Sequence, residues 1–120
     1  MKRIAIAAVL LVSLVGPARA GYDEGVEAYS RGDYATALKE LRPLAEQGNV
    51  VAQFNLADMY KYGKGVPQDY VQAYMWWSVA GANGFEEANI HRDIVSEWMT
   101  PADISKAQAL AREWMEKHGE

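Results

Sequence analysis

The sequence predicts an all-α fold of about six helices in three antiparallel pairs, stacked as a short solenoid. Three observations carry this. Apolar residues recur at helical spacing through most of the chain after residue 21, and Gly, Pro and Asp clusters sit where helices should stop and start. Third, capping and small residues repeat at a fixed offset: Asp33, Tyr34, Ala37, Gly48 and Ala52 return 36 residues later as Asp69, Tyr70, Ala73, Gly84 and Ala88. Each of these positions has a turn or packing reason, and a helix-pair period of this length is the signature of an α-solenoid. A looser third copy begins at Asp103, with Ile104, Ala107, Ala111 and Trp114 on the same faces.

In chain order, residues 1–20 read as a cleaved secretory signal. Lys2 and Arg3 form its positive end, and Ile4 to Val15 is an apolar run too short to span a bilayer. Ala18-Arg19-Ala20 places small residues at the −3 and −1 positions, so cleavage is expected before Gly21, leaving 21–120 as one domain. With no cysteine anywhere, this is not a lipoprotein signal. The expected location is periplasmic or secreted.

Asp23 to Arg31 should form a short helix that Gly25 weakens by ~1 kcal/mol relative to alanine. Gly32 and Asp33 make a turn and cap, and Tyr34, Ala37, Leu38, Leu41, Leu44 and Ala45 give a clean stripe ending at Gly48. Pro43 interrupts that stripe, which predicts a bend near Lys39–Pro43 rather than a break. Ala52, Leu56, Met59 and Tyr60 then mark one face of a helix that Gly63 should stop in a left-handed conformation. Val66 before Pro67 is pushed out of the helical region, and Asp69 is an N-cap for a helix starting at Tyr70. That helix is apolar nearly all round, so it should be buried on several sides. Trp77 lies on its Tyr70–Ala73–Ala80 stripe and is expected in the core, while Trp76 is the better candidate for a partly exposed edge. Gly81 and Gly84 bracket its end; Glu86 and Glu87 open the next helix, where carboxylates suit the dipole. Thr100-Pro101-Ala102-Asp103 is a strong final helix start.

Without the signal, the chain keeps nine basic residues against sixteen acidic ones. Such a balance argues against sequence-independent binding to nucleic acid or anionic lipid, and no membrane insertion is expected once the signal is cleaved. Zero cysteines leave stability to packing, which four tryptophans and seven tyrosines make plausible.

Motifs for chemistry are sparse. Gly63-Lys64-Gly65 follows a helix and lacks a terminal Lys-Ser/Thr, so it is a connector rather than a phosphate loop. There is no Gly-x-Ser-x-Gly elbow and no His-Glu-x-x-His helix. Glu86 and Glu87 are adjacent and point about 100° apart, which suits a solvated helix start better than a paired acid and base. His91 lies four residues after Glu87 on the apolar face of its helix; zinc wants three or four ligands, so a packed histidine is favoured over a metal ligand, with partner contact the other alternative. His118 is expected in a frayed C-terminus. Trp76-Trp77 admits a ligand-stacking reading, but their stripe position favours core. No cofactor and no metal are expected.

The residues Ala52, Leu56, Met59-Tyr60, Gly63, Gly65-Val66, Gln68-Asp69-Tyr70, Ala73, Trp77, Ala80, Gly84 and Ala88 together resemble the Sel-one-like repeat of the tetratricopeptide-repeat superfamily. Met99-Thr100-Pro101 through Ala107, Ala111 and Glu113-Trp114 resemble the C-terminal cap of small exported bacterial members. Ala57 stands where the family usually has glycine, and the residues around His91 and Arg92 depart from the pattern. The resemblance implies a short right-handed, tetratricopeptide-like α-solenoid that acts as a binding scaffold for a protein or peptide and is not an enzyme. It further implies that the first helix of each pair lines a concave surface. Carried over, Phe54, Asn55, Asp58, Lys61 and Tyr62 are the central positions free of packing duty, and His91 joins them through its alignment with Asn55. The rival readings are a small cell-envelope hydrolase using a carboxylate, or a subunit of a larger envelope complex.

Overall fold

The computed structural model describes residues 21–118, which form six α-helices and no strand. The expected signal and its cleavage site lie outside the described residues. Helix α1 spans 21–31, α2 Tyr34–Glu46, α3 Val50–Tyr62, α4 Tyr70–Ala82, α5 Glu86–Ser96 and α6 Pro101–His118. These are the three helix pairs of an all-α solenoid.

Local chemistry sets the boundaries. Asp33 accepts from the Thr36 amide at 3.3 Å to cap α2, Asp69 accepts from the Gln72 amide at 3.1 Å to cap α4, and Thr100 Oγ1 accepts from the Asp103 amide at 3.1 Å to cap α6. Asn49, which the sequence reading did not single out, caps α3 through the Ala52 amide at 2.9 Å. Helix α2 runs unbroken through Pro43. Gly63 ends α3 at φ 67°, ψ 39°, and the Lys64 amide donates back to the Met59 carbonyl at 2.9 Å. Gly65 has φ 79°, and a Cβ there would meet the Tyr34 carbonyl at 2.9 Å, so this turn both reverses the chain and lies against the start of α2.

Two glycines serve packing rather than ending helices. A Cβ on Gly25 would lie 2.8 Å from Leu41 Cγ, so the residue that weakens α1 is what lets α1 approach α2. Gly81 is inside the last turn of α4, not beyond it, and faces the Asn89 side chain of α5.

Helix α4 is the hub, packed against α3, α5 and α6. Its side chains Ala73 through Trp77, Val79 and Ala80 are all buried, as its all-round apolarity requires. Trp77 is fully buried. Trp76, the better candidate of the two tryptophans for a partly exposed edge, is core as well: it is only 3% exposed, its ring meeting the edge of Trp114 from α6 at 5.7 Å. Alanines at 37, 52, 73, 80, 88, 107 and 111 are buried, which is how helices of this stack approach closely. Gln53 is the buried polar residue of the core; its Nε2 donates to the Ala45 carbonyl at 3.0 Å, tying α3 to the end of α2. The C-terminus is not frayed through His118, whose ring stacks on Trp114 at 4.0 Å, while Trp114 Nε1 donates to Glu46 at 3.2 Å and so reaches back to α2.

Candidate binding face

Helices α1, α3 and α5 are joined side to side by the residues that sequence reasoning proposed as a site. From α1, the Tyr29 hydroxyl donates to Asp58 Oδ2 on α3 at 2.6 Å. Burial and this carboxylate push the Tyr29 phenol above its ordinary range. At the other side of α3, Phe54 meets the His91 ring at 4.9 Å, Phe85 at 5.2 Å and Trp77 at 6.1 Å. Phe54 therefore does inter-repeat packing that the sequence reading had not given it. His91 is half-buried, wedged between Phe54 and Trp77, whose ring is 5.3 Å away. Among the described residues no group of three or more His, Asp or Glu side chains is placed to hold a metal.

The end of α3 carries the polar and aromatic surface. Lys61 Nζ lies 5.0 Å from both the Tyr62 and Trp98 ring centroids. Lys64 Nζ sits among the Tyr29, Tyr34 and Tyr62 rings at 5.2 to 5.4 Å, and 3.5 Å from the Tyr29 hydroxyl. Tyr62 is 54% exposed; Asn55, Asp58 and Lys61 are half-buried. Of the six proposed residues, the structure groups Asp58, Lys61 and Tyr62 at one end of α3 and Phe54 with His91 toward α5. Lys64, Tyr29, Tyr34 and Trp98 complete the patch and were missed. The signal for Trp98 was present, since it aligns with Tyr62 at the 36-residue offset. The approach of α1 to α3 that brings in Tyr29 has no such signal. Ammonium groups over aromatic faces attract electrostatically and hold the rings in place while leaving the charge accessible.

A cleft of about 440 Å³ opens elsewhere, where α5 and α6 each pack on α4; its polar lining is Tyr74, Ser78, Arg92, Gln108 and Arg112, with no carboxylate.

The Sel1 repeat family model matches residues 50–85 and 98–117, which are α3 with α4 and then α6. The chain carries Sel1 repeats over these residues. Its structure resembles the crystal structure of a protective antigen of uropathogenic Escherichia coli strains that displays an SLR fold, with a TM-score of 0.79 and 31% identity over 88% of this chain. Two curated exopolysaccharide production negative regulators are also similar over 62 residues, or 52% of this chain: 36% identical in Rhizobium leguminosarum bv. viciae and 34% in Rhizobium meliloti (strain 1021). The Sel1-repeat chain spans 24% of the antigen and 23% of each regulator. Sel1 repeats are a protein-interaction scaffold and the fold is generally non-catalytic. Among the described residues no helix is long and apolar enough to cross a membrane.

Proposed function

We propose that this Sel1-repeat protein is an exported scaffold that binds a protein or peptide segment across the α3 face and does no chemistry of its own. The observation that carries the reading is the patch of Lys61, Tyr62, Lys64 and Trp98, where exposed aromatic area and two ammonium groups sit together on an otherwise acidic domain. Tyrosine and tryptophan side chains recur as hot spots in interfaces. The carboxylate-hydrolase reading needs a cleft with a carboxylate raised in pKa. The cleft between α5 and α6 has no carboxylate lining, and hydrogen bonds from Thr36 hold the Asp33 carboxyl below its ordinary value. The reading as a subunit of a larger complex draws support from exposed apolar side chains on α5.

Affinity capture from envelope extract, followed by binding of the purified partner, tests the proposal. Tyr62→Ala should weaken that binding by ~2 kcal/mol, about thirtyfold, with an unchanged melting temperature. Lys39→Ala, on the exposed side of α2, should do neither. Wild-type affinity in Tyr62→Ala and Lys61→Ala would place the partner on another surface. Asp58 is a poor probe, since removing it also breaks the Tyr29 hydrogen bond.

A further inference from the structure

Helix α5 presents a second surface, which adjoins the α3 face at Trp98. Ile90 and Ile94 on α5 and Trp98 in the following turn are spaced four residues apart, along one side of a helix, and are 59%, 41% and 57% exposed. The repeat explains why the stripe is open. Ile90 aligns at the 36-residue offset with Phe54, and Phe54 is covered by Phe85 and His91 of the next unit. Ile90 holds the same stacking position with nothing stacked on it among the described residues.

What fits there is set by the rim. Glu86, Glu87, Asp93 and Glu97 are all exposed along α5; Arg92 pairs with Asp93 at 2.9 Å, which leaves the three glutamates as the unneutralised part of this rim. The aligned residues of α3 are Val50, Val51, Ala57 and Lys61, so the acidity belongs to this edge and not to the repeat. Asp93 and Glu97 also stand at the C-terminal end of α5, where the helix dipole disfavours carboxylates, so they are not there to stabilise the helix. A second copy is a poor occupant. Any two-fold pairing of α5 with itself sets one acidic rim against the other. A head-to-tail contact would need an apolar complement on α1 or α2, and the exposed large apolar side chains of the described residues are Val51, Tyr62, Ile90, Ile94 and Trp98.

We propose that the α5 edge docks an amphipathic helix of a partner protein, its apolar stripe on Ile90, Ile94 and Trp98 and its flanking lysines or arginines against the acidic rim. This is helix-on-helix recognition through anchors at i and i+4.

A helical leucine–lysine peptide and its leucine–glutamate counterpart are the probes. Trp98 is the exposed tryptophan of the four, so its emission should shift to shorter wavelength as the lysine peptide binds. The glutamate peptide should not bind. Ile90→Ser with Ile94→Ser should weaken the lysine peptide at least tenfold without altering circular dichroism or melting, and Ile94→Leu should retain it. Glu86→Lys with Glu97→Lys should reverse the preference between the peptides. Neutralising Asp23, Glu24 and Glu27 on α1 should change little. Lysine-peptide binding indifferent to Ile90 and Ile94 would overturn the proposal. So would a sedimenting dimer abolished by the same serine substitutions, or stripe-dependent binding to phosphatidylcholine vesicles. The two surfaces share Trp98, but the α3 face is read through Tyr62 and Lys61 against its own partner and the α5 edge through Ile90 and Ile94, so either can fail alone.

Discussion

Trp77 is the largest fully buried side chain of the described residues, set on the hub helix with Phe54 and His91 from the helices on either side. Trp77→Ala should cost ~3–5 kcal/mol, a large part of a small domain's total, read as a lowered denaturation midpoint. Its place was legible from its stripe. That of Trp76 was less so, because a helix buried on several sides has no polar face to orient it, and the neighbour that covers Trp76 is Trp114, 38 residues on. Gly25 sets propensity against packing. Alanine there gains ~1 kcal/mol of helix propensity, but its Cβ would meet Leu41 at 2.8 Å, and overpacking costs ~1–3 kcal/mol. Since the obstructing atoms belong to a fully buried leucine, Gly25→Ala should lower the melting temperature; a rise would show that α1 has room to shift.

At the scale of elements, the sequence was most legible where the physics is local. Asp33, Asp69, Thr100 and Gly63 cap or stop helices through atoms within five residues of themselves. Side-to-side contacts between first helices were hidden, since no spacing rule brings Tyr29 to Asp58 or reveals Gln53 as a buried tie. The Tyr29–Asp58 link joins α1 to α3 and predicts a pH dependence. A phenol raised in the folded state stabilises the fold in full below the ordinary tyrosine pKa of about 10, and that contribution fades as pH rises toward the folded value. Stability should therefore fall above pH ~10 in wild type, and Tyr29→Phe should start lower but lose less over the same range. Urea midpoints at pH 8 and above 10 check this, and parallel curves for the two proteins would mean the hydrogen bond contributes nothing.

The whole molecule is a short stack whose contacts are unevenly shared. Interior units of a solenoid are held from both sides and terminal ones from one. Here α4 packs on α3, α5 and α6, while Trp114 and His118 at the end of α6 reach back to Glu46 on α2. At the other end, α1 buries Ala28, packs on Leu41 and is held to α2 and α3 through Tyr29, while its outer positions Asp23, Glu24, Glu27 and Ser30 are exposed. Opening α1 exposes Ala28 and frees Tyr29 from α2 and α3, whereas opening α4 dismantles the core, so the two should differ in free energy of opening. Native-state hydrogen exchange should find the α4 amides of Met75 to Val79 slowest, exchanging only through global unfolding. Amides in α1 should exchange through a smaller opening that Tyr29→Phe makes easier still, leaving α4 near its wild-type protection. The tie from Trp114 to Glu46 sets a second contrast: Glu46→Ala should loosen the end of α6 and not α1. Equal protection across α1 and α4 would mean that the stack opens only as one unit, with Tyr29–Asp58 as firm a joint as any contact of the hub.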